Sequence, residues 1–408
     1  MDKKLTERIK YWLQLFLLPV YGFSFLVPKN KKIWLFGSTF GRRFADNPRY
    51  FYTYLTEHAE HGIRPIWISR NKDVVDFLQK ENKEAYYYKS LKGIWYTLIG
   101  KIYIYDNYPK DINHWLSGGA VKFNLWHGTG NKKANHDNIF DKVRHPRNWW
   151  ERFQTFPRRL SDEKPSYFTL ATSEPLAVIT ASAFRTTMDH VIIDGYPRND
   201  AMLDATFPNL LTAEEKLNIH NFTEWKAEGN RIDLYMPTFR ESESLFFKVM
   251  NLHIFNEFLK RNKIIFIIKL HPKSKLKKEV EKIQYSNIYN MDAEIDPYTF
   301  IGFVDILTSD YSSAYSDFML LDRPVIAFHY DYKEYSMHTR DCYVPFDEYM
   351  PELKAINMEE LMKNTLLALE SDPCKEKRKI SRDRMFHYQD AEASRRLVLK
   401  AKELISLK

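Results

Sequence analysis

The run Ile264-Ile265-Phe266-Ile267-Ile268-Lys269-Leu270-His271-Pro272-Lys273 decides the fold. Its first part is continuously apolar and β-branched, with no alternation. A strand with that pattern is buried on both faces, as in a parallel sheet covered by helices. Pro272 stops the strand, so His271 and Lys273 sit at its carboxyl end. Working outward, a helical pattern over 252–261 precedes this strand and another over 275–283 follows it. Further strands read at 233–236, 306–307 and 325–328. The first half shows the same alternation. Strands read at 33–36, 64–69, 101–105, 122–126 and 191–194, with a helix over 47–58. Strands separated by helices imply parallel sheets. Two such halves, joined near residues 196–217, predict an α/β chain of two Rossmann-like doubly wound domains facing a cleft.

Composition agrees with a globular chain of this size. There are 408 residues, 44% hydrophobic and 28% charged, which excludes global disorder. Lysines and arginines number 61 against 53 acids, a net charge of +8, suited to an anionic partner without selecting one. Cys342 and Cys374 are the only cysteines, which excludes a disulfide scaffold and a cysteine-based zinc site. The 13 histidines show no HExxH spacing, and no metal site is expected.

Two segments carry tryptophan beside basic residues. Residues 1–32 place Lys3, Lys4, Arg8 and Lys10 before an apolar run over 11–27, with Lys29, Lys31 and Lys32 after it. At 17 residues the run is short of a full span. No small-residue cleavage site follows it, so a signal peptide is not expected. It reads as an interfacial anchor or as a buried N-terminal helix. Residues 139–164 carry Trp149, Trp150, Phe153 and Phe156 among Lys142, Arg144, Arg147 and Arg152. They read either as a membrane-surface helix or as an ordinary packed one.

Three strand ends carry candidate chemistry. Leu125-Trp126-His127-Gly128-Thr129 puts His127 beyond a strand, where ligands of doubly wound sheets bind; an imidazole there exchanges protons near neutral pH. Gly130, Lys132 and Lys133 follow. His271 and Lys273 can donate to phosphate oxygens. Thr308-Ser309-Asp310-Tyr311-Ser312-Ser313, with Asp317 and then Arg323-Pro324, reads as strand, polar turn, helix and strand. The helix start at Ser312 or Ser313 would cradle a pyrophosphate, or would be a simple serine cap. Gly195-Tyr196-Pro197-Arg198-Asn199-Asp200 and Pro237-Thr238-Phe239-Arg240 each add an arginine near a strand end, suited to phosphate or to a surface ion pair.

Taken in order, WHGT, GYPRND, PTFR, HPK and SDYSS–D–RP resemble the CDP-glycerol glycerophosphotransferase family of teichoic-acid and capsule enzymes. Phe36-Gly37-Ser38 through Asp46-Asn47-Pro48 resembles its opening. The resemblance covers about residues 31–364. It implies a GT-B fold, transfer of a polyol phosphate from a CDP-polyol to a membrane-bound acceptor, and attachment to the cytoplasmic membrane face. On that basis residues 33–200 are the expected acceptor domain, 201–372 the donor domain and 373–408 a C-terminal helix. His127 is the expected base and His271 its catalytic partner. Arg198, Arg240, Lys273, Ser309, Asp310, Ser312, Ser313 and Asp317 are expected on the donor, and Gly128, Thr129 and Lys132 on the acceptor side. CDP-glycerol or a related CDP-polyol is the co-substrate, the acceptor is lipid-linked or polymeric, and no obligatory cofactor or nucleic acid is expected. Two departures stand out: Gly130 where teichoic-acid members often have proline, and Met350-Pro351-Glu352 where a Gly-Pro pair is frequent. A GT-B glycosyltransferase using a nucleotide sugar shares the same fold.

Overall fold

The computed structural model describes residues 9–163, 166–238, 245–332 and 341–406. The chain divides into two compact units. The first is Met1–His127, Lys133–Leu210 and Phe386–Lys408; the second is Gly128–Lys132 and Leu211–Met385.

The first unit holds a seven-stranded parallel sheet in the order β3-β2-β1-β4-β5-β6-β7. Its strands are β1 (Asn30–Phe36), β2 (Arg64–Ser69), β3 (Ala85–Tyr87), β4 (Gly100–Tyr105), β5 (Val121–Asn124), β6 (Phe168–Ala171) and β7 (Val191–Ile193). The second holds six parallel strands in the order β10-β9-β8-β11-β12-β13. These are β8 (Arg231–Met236), β9 (Ile264–Lys269), β10 (Ile288–Met291), β11 (Ile306–Ser309), β12 (Val325–Phe328) and β13 (Leu353–Ala355). The order reverses at β1/β4 in one sheet and at β8/β11 in the other. The expected pair of doubly wound sheets is therefore present. As its pattern requires, β9 is buried at every residue.

Strands β3, β6, β10 and β13 have three or four residues each and no long apolar run. Sheet pairing forms them rather than their own pattern, and all four were missed in the sequence. The helix expected over 275–283 shrinks to Lys277–Val280. Instead of one C-terminal helix there are two, Lys375–Met385 and Ala393–Ser406, with a connection through Tyr388, Gln389 and Asp390 between them. The first packs in the second unit and the last in the first unit.

The last helix buries Leu397, Val398, Ala401, Leu404 and Ile405 into the core around Trp34, Phe51 and Leu55. Its start is held by Asp200, whose two carboxylate oxygens accept the N–H groups of Ala393 (2.9 Å) and Ser394 (2.7 Å). Burial pushes this carboxyl up to about 7, against the hydrogen bonds that favour its charge. Arg396 adds an ion pair to Asp194 at 2.8 Å. Gly195 leaves the room: a Cβ there would lie 2.9 Å from that of Ala393.

Both tryptophan-bearing segments lie in the first unit. Residues 9–13 are helical, followed by a 3-10 turn Gln14–Leu17 and a helix Leu18–Ser24. The N-terminal segment is not a buried core helix, because Phe16 is 79% and Leu26 77% exposed. It packs through Trp12 on Phe153 (4.7 Å) and Tyr21 on His114 (5.0 Å). The second segment forms the helix Trp149–Asp162, capped by Asn148 accepting the Glu151 N–H. Trp149, Trp150, Phe153 and Phe156 face solvent along it. No described helix is long and apolar enough to cross a membrane.

Candidate functional site

In the first unit the site is built at the carboxyl ends of β1, β4 and β5. Beyond β5, Trp126 takes a left-handed φ of 55° and turns the chain sharply. Asn124 Oδ1 accepts the Trp126 N–H at 2.8 Å and fixes the turn. His127 follows, its ring 4.0 Å from that of Trp126. Its Nδ1 lies 3.0 Å from the Asp106 carbonyl oxygen. A carbonyl can only accept, so Nδ1 carries the proton and Nε2 keeps a lone pair. That is the tautomer a general base needs.

Around Asp106 the backbone is tightly specified. The loop after β1 has three successive left-handed residues, Thr39, Phe40 and Gly41. Two buried carboxylates hold it. Asp106 accepts from the Ser38 hydroxyl (2.7 Å) and the Thr39 N–H (3.1 Å). Asp111 accepts the N–H groups of Phe40 (2.8 Å) and Asn107 (2.8 Å). Burial, and the neighbouring Asp106 charge after it, push the Asp111 carboxyl well above its usual range. Gly37 is required here, since a Cβ would meet the Asp111 carbonyl at 2.6 Å.

Arg198 completes this construction. It is 2% exposed, and its Nη1 donates to Asp46 (2.7 Å) and to the His127 carbonyl (2.9 Å). Asn47 donates to the Trp126 carbonyl at 2.9 Å and accepts the Arg198 N–H at 3.3 Å. The expected phosphate contact of Arg198 is thus replaced by a buried clamp on the strand end that bears His127. The Gly195–Asp200 motif serves structure at both ends, with Asp200 holding the last helix. Arg198→Lys should keep the fold and lower kcat by about 10- to 100-fold, because the shorter lysine side chain does not carry its ammonium to the place of Nη1, and His127 shifts. The KM for the donor should not move. An unchanged kcat would remove Arg198 from the machinery.

The second unit builds its own strand-end site at β8, β9, β11 and β12. After β9, His271 Nδ1 accepts the Lys273 N–H at 3.1 Å. Its proton therefore sits on Nε2, the tautomer opposite to that of His127. His271 and Lys273 are both exposed, as donors to an anionic ligand must be. Ser309 and Asp310 are fully buried. Ser309 donates to the Met236 carbonyl at 2.8 Å, and Asp310 accepts the Thr238 N–H at 2.8 Å. Asp317 is also buried and accepts from the Tyr298 hydroxyl. These three hold the loops together rather than face a ligand, unlike their expected role on the donor. Ser309 and Asp310 stand at the end of β11 beside the end of β8, whose backbone they bond, and Asp317 lies on the helix Ala314–Phe318 against Tyr298.

Ser312 and Ser313 are half-buried. Ser312 Oγ accepts the Ala314 N–H at 3.3 Å, whereas Ser313 makes no side-chain cap bond to the helix Ala314–Phe318. Arg240 lies outside the described residues.

Gly128, Thr129 and Lys132 were expected on the acceptor side, with the first half. The chain instead passes into the second unit directly after His127. The Thr129 carbonyl accepts from Ser316 (2.6 Å) and Tyr349 (3.1 Å). Asn131 exchanges hydrogen bonds with Val344 at 2.9 and 3.0 Å, and Lys132 bridges to Cys342. Lys132 Nζ stands 6.0 Å over the Tyr311 ring. These side-chain bonds to distant backbone were invisible in the sequence. A Cβ on Gly130 would lie 3.7 Å from that of Ser313, in ordinary contact. Asn47, Asp106 and Tyr311 also belong to the site. Asn47 had a signal in the Asp46-Asn47-Pro48 opening and Tyr311 in the run from Thr308 to Ser313, whereas Asp106 had none.

The pattern of the CDP-glycerol:poly(glycerophosphate) glycerophosphotransferase family matches residues 20–401. A teichoic acid poly(glycerol phosphate) polymerase of Bacillus spizizenii is 28% identical over 360 residues, 82% of this chain and 84% of that one. A teichoic acid glycerol-phosphate transferase of Staphylococcus aureus is 24% identical over 335 residues, 79% of this chain and 80% of that one. The structure of the wall teichoic acid polymerase TagF superposes with a TM-score of 0.71 at 19% identity, covering 99% of this chain and 98% of that one. Structures of UDP-N-acetylglucosamine 2-epimerases share the fold more distantly, with a TM-score of 0.53 at 14% identity over 92% of this chain for that of Neisseria meningitidis.

Proposed function

The chain belongs to the CDP-glycerol:poly(glycerophosphate) glycerophosphotransferase family and is an enzyme of polyol-phosphate transfer in teichoic acid synthesis, and from that premise we propose that it moves glycerol phosphate from CDP-glycerol to a hydroxyl of a membrane-bound acceptor, releasing CMP. The observation that carries this reading is the pair of opposite histidine tautomers.

His127 Nε2 takes the proton of the acceptor hydroxyl. The oxygen then attacks the phosphorus that bears the glycerol, the bond to the bridging oxygen breaks, and CMP leaves with the electron pair. The product is a phosphodiester. His271 Nε2–H and the Lys273 ammonium donate to the phosphate oxygens as charge moves onto the leaving group. Ser312 and Ser313 contribute hydroxyls to the same phosphates. Arg198 acts through His127 and touches no substrate. Asp310, Ser309 and Asp317 shape the donor loops. The polymer is teichoic acid, or a capsular polymer built by the same chemistry.

The exposed aromatic face of the helix Trp149–Asp162 and the N-terminal segment dock the enzyme on the cytoplasmic leaflet. Its support is composition and exposure: Trp149 is 76% exposed, and Lys142 and Arg147 gather around Glu151 in the same helix turn. Tryptophan rings settle at headgroup depth while cations meet anionic lipid. Replacing Trp149 and Trp150 together by alanine should abolish cosedimentation with phosphatidylglycerol vesicles and spare soluble-phase CDP-glycerol binding. Undiminished sedimentation would remove this face from the membrane.

Calorimetry of the purified protein against CDP-glycerol, CDP-ribitol, CMP, UDP-N-acetylglucosamine and GDP-mannose tests the whole reading. Selective heat with a CDP-polyol is expected. Binding of only a UDP- or GDP-sugar would overturn phosphotransfer in favour of a nucleotide-sugar enzyme.

A further inference from the structure

His329 is the first residue after β12, the strand beside β11. Ligands of doubly wound sheets gather beyond strand carboxyl ends near the point where strand order reverses, here β8/β11. His329 is therefore one strand from that point. Its ring stacks on Tyr311 at 4.7 Å and 13°, and Phe346 meets it edge-on at 5.0 Å and 65°. Tyr311 is the residue between Asp310 and Ser312, so the imidazole lies against the loop already read as the donor loop.

The ring is 5% exposed, and its Nε2 is buried with no hydrogen-bond partner. The backbone of Asp310 stands by the other nitrogen and favours the proton there, which leaves Nε2 as the acceptor. Desolvation, the largest influence on this imidazole, holds it below its usual range and keeps it neutral. A buried polar atom left without a partner costs stability. Its persistence beside a ligand loop is explained when a ligand supplies the missing donor.

We propose that His329 Nε2 is a specificity-determining acceptor for a hydrogen-bond donor on the nucleoside of the CDP-polyol, a ribose hydroxyl or the cytosine amino group. It does not contact the phosphates, whose oxygens only accept and would face an acceptor. This rests on the reading of the second unit as the donor-binding one.

The test compares wild type with His329→Phe, which preserves the ring stack and removes the nitrogen. Each is titrated with CDP, 2′-deoxy-CDP, 3′-deoxy-CDP and UDP. Wild type should bind one of the three analogues about tenfold more weakly than CDP, the effect of one hydrogen bond. That analogue identifies the donor: a deoxy sugar marks a hydroxyl, UDP the amino group. In His329→Phe the same discrimination should vanish, with the melting temperature held or raised. Discrimination that persists in His329→Phe overturns the proposal and leaves the donor-site reading standing. Wild type that binds none of the four nucleotides overturns both. Should the variant not fold, the 15N shift of wild-type His329 Nε2 decides: it should move on CDP addition, and a fixed shift with CDP bound overturns the proposal.

Discussion

His127→Ala is expected to reduce transfer to the acceptor by about 10²- to 10⁴-fold, the range a general base supplies, while CDP-glycerol binding stays within about twofold of wild type, because no donor hydrogen bond is removed. The argument is one of geometry. The Asp106 carbonyl holds Nδ1 and so sets the tautomer at Nε2. The Arg198 and Asn47 bonds to the His127 and Trp126 carbonyls fix the turn that presents the ring. These bonds all lie within the first unit, whereas His271, Lys273, Ser312 and Ser313 belong to the second. The two effects therefore separate. His271→Ala should do the reverse in part: it removes a donor from a phosphate oxygen, so it should weaken CDP-glycerol binding as well as turnover. Calorimetry for the donor and radiolabelled glycerol phosphate incorporation for transfer would measure both. Wild-type turnover in His127→Ala would leave the reaction without its proposed base. Loss of donor binding in the same variant would move His127 onto the donor.

Ending the chain at Met385 is expected to unfold the first unit, although every strand of its sheet remains. The deletion removes Leu397, Val398, Leu404 and Ile405, all buried in the core beside Trp34 and Phe51. At about 1.5–3 kcal/mol per buried side chain, they contribute about 6–12 kcal/mol. That is as large as the whole stability of an ordinary domain, about 5–15 kcal/mol. The deletion also strands Asp200, which loses the Ala393 and Ser394 N–H groups while staying within a buried helix. Hydrogen exchange followed by mass spectrometry reads the result. Protection should collapse over β1, β4 and β5 and persist over β8 and β9, whose core draws nothing from the deleted segment. Full protection of β1 and β4 in the truncated protein would show that the last helix merely decorates the unit.

The architecture was readable wherever one strand carried enough apolar residues to announce itself. The stretches 33–36, 66–69, 264–270 and 325–328 are buried because Ile, Val, Phe and Trp leave them no solvent face. Their spacing dictated parallel pairing, since parallel strands need a crossover between them. The strand-end position of His127 and His271 followed from the same run-and-stop pattern, a local property of the chain. The sequence alone also determined which residue types were available for phosphate chemistry.

It did not determine which of those polar residues face a ligand. Arg198, Ser309, Asp310 and Asp317 have the side chains of a phosphate site, yet each is buried against backbone or another side chain. Whether a polar group binds substrate or holds a loop depends on partners far away in sequence: Asp46 for Arg198, Met236 for Ser309, Tyr298 for Asp317. The same holds for the last helix. Its apolar stripe states that it must pack, and only the fold states that it packs on the first sheet. Local pattern encodes burial and period, because these are set by neighbours three or four residues away. Pairing at long range is set by where the sheets bring the chain, as for Arg198 and Asp46, so the clamp on His127 and the orphan nitrogen of His329 belong to the tertiary structure alone.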